Sequence, residues 1–167
     1  MHTTLEEREL YLRVARREVV ADRVVMLELE DPSGQQLPAW TPGAHTDLRL
    51  QPGITRQYSL CGDPSARDVW RIAVLHELEG RGGSEFVHEQ LHEGALVECQ
   101  GPRNHFMLEP SPRYVFIAGG IGITPILPMI GQAEASGADW SLHYGVAAAP
   151  RWLSTPRWKS GTDPVFT

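Results

Sequence analysis

Apolar and polar positions alternate through the first part of this chain with the period of two that half-buried strands require. Residues 11–21 and 24–30 read as β-rich runs joined by a tight turn at Asp22-Arg23. Asp31-Pro32-Ser33-Gly34 is a strong turn signal, and residues 37–43, with two Pro and a Gly, form a loop. Residues 45–50 alternate cleanly, with His45, Asp47 and Arg49 on one face and Thr46, Leu48 and Leu50 on the other. Pro52-Gly53 turns the chain into a strand at 55–61, and Asp63-Pro64-Ser65 breaks it. A further strand at 69–77 places Trp70, Ile72 and Val74 on one side. After a glycine-rich loop, residues 85–92 have helical character with Ser84 as N-cap, and 95–100 returns to β before a Gly101-Pro102-Arg103-Asn104 turn. Six strands separated by turns predict a small antiparallel barrel with one helix rather than a helical protein.

The pattern then changes. Residues 114–118 are a short apolar run of the parallel-sheet kind, followed directly by Gly119-Gly120-Ile121-Gly122-Ile123-Thr124-Pro125, a helix at 126–135 and a strand at 140–145. Strand, glycine turn, helix and strand make one βαβ unit, so a second domain of a different class starts near Tyr114. The resulting division is a barrel over 1–110, an incomplete βαβ unit over 111–145, and a tail over 146–167 with Trp152, Trp158, three Pro, two Arg and no clear period.

The 167 residues and 41% hydrophobic content suit one ordinary domain, or one complete domain plus a fragment of a second. No apolar run approaches a membrane span, residues 1–8 lack a signal-peptide core, and a net charge of −6 argues against nucleic acid or an anionic membrane as partner. Cys61 and Cys99 are far apart, which leaves no metal or iron–sulfur loop and points to a reducing, cytoplasmic setting. His88 and His92 are spaced like two zinc ligands on a helix, but read as an exposed helical face, so no metal is expected.

Three segments carry candidate chemistry. In Arg56-Gln57-Tyr58-Ser59-Leu60, Arg56, Tyr58 and Leu60 share one strand face, which sets a guanidinium beside a flat phenol, suited to a phosphate and a planar ring. An edge strand with a surface Arg and a half-buried Tyr has the same pattern. Gly80-Arg81-Gly82-Gly83-Ser84 lets backbone N–H groups approach an anion at a helix start, although a flexible connector has this composition too. The turn from Gly119 to Thr124 is placed as a pyrophosphate-binding turn is, without the GxGxxG spacing; Thr124 before Pro125 also fits a purely structural helix cap, with Pro at the first helical position.

Taken together with Gly101-Pro102-Arg103-Asn104-His105-Phe106, these motifs resemble the ferredoxin–NADP reductase superfamily. The likeness is to its phthalate dioxygenase reductase branch, the reductase components of aromatic-ring Rieske oxygenases of the vanillate demethylase and toluenesulfonate monooxygenase types. It extends over residues 11–144, with the motifs in the family's order. The resemblance implies an antiparallel flavin-binding barrel carrying FMN (FAD being the less expected flavin), the start of an α/β NAD-binding domain that uses NADH, and then a 2Fe–2S ferredoxin domain. By position, Arg56 would pair with the FMN phosphate, Tyr58 would pack on the isoalloxazine and Ser59 would hydrogen-bond near N5 as the catalytic residue, with Gln57 beside them in the motif. Gly82, Gly83 and Ser84 would hold the phosphate from the other side, and Ala73 and Val74 would offer backbone to the ring. Gly119, Gly120 and Thr124 would belong to the nicotinamide nucleotide site. The implied partner is a terminal Rieske-type oxygenase.

The chain departs from that family after Gly145. The rest of a nucleotide domain and every ferredoxin cysteine are missing, so the 2Fe–2S cluster is absent from this chain. A shifted reading frame near Gly145 is one explanation. The expected function is an FMN-dependent NADH oxidoreductase, with a non-enzymatic flavin-binding remnant or an interaction barrel as the alternatives.

Overall fold

The computed structural model describes residues 7–145 and a two-residue strand, Val165–Phe166. Strands β1 (Arg8–Ala21) and β2 (Val24–Glu30) form a hairpin whose turn places Arg23 at φ 54. They are followed by β3 (His45–Gln51), β4 (Ile54–Ser59), β5 (Trp70–Leu75), helix α1 (Gly83–Gln90) and β6 (Leu96–Arg103). The six strands form one antiparallel sheet in the order β4-β3-β6-β1-β2-β5. This is the expected six-stranded barrel architecture, with the sheet curled rather than closed by a ladder: its two end strands approach where the Cys61 N–H donates to the Arg71 carbonyl at 2.9 Å. Helix α1 packs on β3, β4 and β5, and so spans the opening.

The alternation explains the packing. Along β2 every second residue is buried, and Val25, Leu27 and Leu29 meet Leu12 and Val14 of β1, Leu48 of β3, and Trp70, Ile72 and Val74 of β5 in one core. Each such side chain contributes about 1.5–3 kcal/mol through burial. Residues 101–103 are the end of β6 and not the turn that Gly-Pro suggests; a register shift between His45 and Asp47 absorbs them, so the irregularity is taken up inside the ladder.

A second sheet follows, with β7 (Arg113–Gly119), β8 (Asp139–Gly145) and β9 (Val165–Phe166) parallel and in that order. Between β7 and β8 lie a 3₁₀ turn (Gly120–Ile123) and helix α2 (Ile126–Ala135). Helix α2 buries Ile126, Met129, Ile130 and Ala133 against Phe116, Leu142 and Tyr144. The opposite face carries Val115 and Ile117, which are 61% and 76% exposed. The atypical tail expected over 146–167 lies outside the described residues except for β9.

The two sheets meet at a tight joint. Gly43 has φ +92, and a Cβ there would stand 1.9 Å from the Phe106 carbonyl oxygen and 2.8 Å from Met129 Cε of α2. Asn104 holds the same loop, its side-chain amide donating to Thr41 Oγ1 at 2.8 Å and to the Pro42 carbonyl at 2.9 Å. Among the described residues no helix is long and apolar enough to cross a membrane.

Candidate functional site

Strand β4 is an end strand, and its alternation leaves Arg56 and Tyr58 half-buried while Gln57 is exposed. Across the β3–β4 ladder Leu48 faces Arg56, Thr46 faces Tyr58 and His45 faces Ser59. Arg56 reaches over the start of α1. Its guanidinium donates to the Thr55 carbonyl at 2.8 Å and to the Arg81 carbonyl at 3.1 Å, and a guanidinium has further N–H donors to offer an anion. Burial pushes the Tyr58 hydroxyl up to about 12, with Arg56 opposing, so the ring stays neutral.

The glycine loop is shaped for close approach. Gly82 adopts φ 75 as the N-cap of α1, and a Cβ on Gly83 would stand 2.7 Å from Arg56 Cγ and Nε. Glycine at 83 therefore lets the guanidinium lie against the first turn of the helix, where N–H groups are unsatisfied, and glycine at 82 supplies the left-handed cap. Ser84 is not the N-cap. It is the second residue of the helix, and its Oγ accepts the Glu77 N–H at 3.0 Å, tying the helix to the segment after β5. A left-handed glycine fills the cap position that a hydroxyl residue was expected to take.

Ala73 and Val74 lie on β5, the other end strand, opposite Met26 and Val25, and both are buried. The Val74 carbonyl lies 2.9 Å from His88 Nε2. His88 is therefore not on an open helical face, as its spacing from His92 suggested; it is half-buried, stacked on His76 with ring centroids 4.9 Å apart, while His92 lies beyond the helix. The signal that could have found it is the one-turn spacing from Ser84, which puts both side chains on one face of α1.

The turn after β7 also differs from expectation. Thr124 ends the 3₁₀ turn, and Pro125 occupies the N-cap of α2. Thr124 is 6% exposed and its hydroxyl donates back to the Ile121 carbonyl at 3.0 Å, an arrangement that absorbs the hydroxyl locally. Gly119 and Gly120 are exposed, and the Tyr144 hydroxyl donates to the Gly120 carbonyl at 2.8 Å. Because the 3₁₀ turn packs against β5, the structure draws Gly119, Gly120 and Thr124 toward the strand that carries Ala73 and Val74. Arg56, Gly82, Gly83 and Ser84 gather at one end of α1, and Val74 is joined to its other end.

A separate cleft of about 1200 Å³ opens between Cys61, Asp63 and Arg71 on the barrel side and Leu127, Gly131 and Gln132 of α2. It contains none of the candidate residues. Burial pushes the Cys61 thiol up to about 12, which leaves it inert as a nucleophile. Among the described residues no group of three or more metal-ligating side chains gathers.

No family model matches the chain. Phenoxybenzoate dioxygenase subunit beta of Ectopseudomonas oleovorans is 50% identical over 125 residues, which is 74% of this chain and 39% of that protein. Vanillate O-demethylase oxidoreductase of Pseudomonas putida is 43% identical over 156 residues, 92% of this chain and 49% of its own length. The solved structure of phthalate dioxygenase reductase, described as modular for electron transfer from pyridine nucleotides to [2Fe–2S], superposes with a TM-score of 0.88 at 35% identity, covering 95% of this chain and 51% of that one. The chain thus spans from two fifths to half of the relatives it matches. With the strand order, the glycine-capped helix and these likenesses in hand, the chain is similar to one part of reductases of the phthalate dioxygenase reductase type.

Proposed function

We propose that this chain is the flavin-binding module, with the start of the nucleotide-binding module, of an NADH-dependent FMN oxidoreductase that serves as reductase component of an aromatic-ring oxygenase system with a Rieske-type terminal partner. In this reading residues 1–110 are the FMN barrel and 111–145 the first βαβ unit of the NAD domain. The observation that carries the reading is the Arg56 guanidinium lying on the Gly82–Gly83 helix start, a cradle that any Cβ on Gly83 would fill.

The residues present fit a flavin phosphate at one end of α1 and a flat ring at the other. Arg56 supplies the formal charge, and the first-turn amides of Gly83 and Ser84 supply N–H groups and the positive end of the helix. Tyr58, neutral and half-buried, offers its face to the isoalloxazine, and the backbone of Ala73 and Val74 lines the other strand. Ser59, half-buried at the end of β4, would hydrogen-bond N5 in this reading. When bound, the flavin accepts hydride from NADH and passes electrons on singly. Gly119 and Gly120 leave the turn after β7 open to a nucleotide, and Thr124 stiffens it. Two cysteines are fewer than a 2Fe–2S cluster needs, so these 167 residues alone would not hold one.

The test is an anaerobic titration of the purified chain with FMN and then NADH. Bound FMN gives visible absorption, and bleaching by NADH supports the oxidoreductase reading. Binding without bleaching identifies a flavin-binding module without hydride uptake, and no binding overturns the flavin reading.

A further inference from the structure

Helix α1 is fastened along its length to the barrel wall beside the proposed ring site. At its start the Ser84 Oγ accepts the Glu77 N–H at 3.0 Å. One turn later His88 Nε2 lies 2.9 Å from the Val74 carbonyl. At its end the His88 carbonyl accepts the Arg17 guanidinium at 3.0 Å, and the Arg17 N–H itself donates to Glu93 at 3.0 Å. A carbonyl only accepts, so the His88 Nε2 carries the proton, which fixes the tautomer. The His76 ring lies against His88 with 24° between the ring planes and limits its rotation.

Ser84 and His88 are one turn apart and share a helical face, so the helix whose N-terminus forms the anion cradle also grips β5 four residues further on. We infer that His88 is a positioning residue for the flavin ring: by holding the Val74 carbonyl on α1, it sets the height of the β5 backbone beneath the isoalloxazine and couples it to the phosphate end of the site. This rests on the flavin reading above. Val74 is 1% exposed and its carbonyl is turned to the imidazole, so loss of the donor leaves a buried acceptor without this partner. Burial lowers the His88 pKa and favours the neutral ring, the Val74 bond works against this, and His76 and Arg17 add to the lowering.

The experiment uses the full chain as wild type, H88A and H88Q, with FMN and riboflavin as probes. Fluorescence quenching gives affinity, and visible circular dichroism of the bound flavin reports the ring's setting. H88A is expected to weaken both probes about fivefold and to alter the dichroic band. Equal loss for riboflavin, which has no phosphate, places the effect at the ring. H88Q keeps an N–H donor at the reach of Nε2 and is expected to restore affinity and spectrum. Unchanged binding and dichroism in H88A, or equal impairment of H88A and H88Q, overturns the role. A wild-type chain that binds neither probe overturns the flavin reading itself. If H88A does not fold, the wild-type imidazole nitrogen shifts decide: FMN must move the His88 Nε2 resonance, and a resonance that stays put overturns the proposal.

Discussion

Ser59 is the smallest side chain on which the proposed chemistry depends. It stands at the last position of β4, opposite His45, where a hydroxyl can turn toward a ring lying along the strand. Replacing Ser59 with Ala should slow reduction of bound FMN by NADH about tenfold while leaving FMN in place, since one hydrogen bond to a developing charge is removed and the phosphate grip is not. An unchanged stopped-flow rate removes Ser59 from the chemistry. Two histidines set a second expectation. Burial lowers the pKa of both His45 and His88 below the ordinary 6.5. The unfolded chain then binds more protons than the folded one in the window below that value, so this stability is present near neutral pH and is lost as pH falls through the window. The urea midpoint should be lower at about pH 5.5 than at about pH 7.5. Equal midpoints would show that neither ring stays neutral in the fold.

At the scale of elements, legibility followed how local each signal was. The alternation of β2 and β3 was visible because one face of each meets the core. The start of α1 was misplaced by two residues because Gly82 caps through its backbone conformation, which no side-chain signal announces. The role of His88 was hidden because the face of α1 that carries it meets β5 rather than water, a long-range fact no periodicity contains. Arg56 with Gly82 and Gly83 was legible as a pair of motifs whose separation lets them meet across a barrel wall, and the curl of the sheet brings the Arg56 side chain onto Gly83. The joint at Gly43 is likewise invisible locally, and it gives a sharp comparison. Gly34 and Gly43 both have positive φ, but a Cβ meets nothing within 4 Å at Gly34 and the Phe106 backbone at Gly43. Gly34→Ala should cost about 1 kcal/mol from backbone strain alone, and Gly43→Ala about 3 kcal/mol or more, because a main-chain carbonyl cannot swing aside. Equal costs in urea unfolding would mean the loop re-docks freely.

For the molecule as a whole, among the described residues the second sheet has a helix on one face and exposed β-branched residues on the other. Parallel sheets are normally covered on both faces, and exposed Val115 and Ile117 make an adhesive patch. Changing both to Lys should reduce concentration-dependent light scattering with the melting temperature held within a few degrees; unchanged scattering would show that this face does not drive self-association. The barrel wall has its own consequence. Its end strands are drawn together at Cys61 and Arg71, with α1 laid across the gap, so the wall behaves as a strap and the helix as its buckle. A ligand seated at that buckle and touching both ends is a rivet as well as a reagent: loading the site and tightening the barrel become one equilibrium, read from either side.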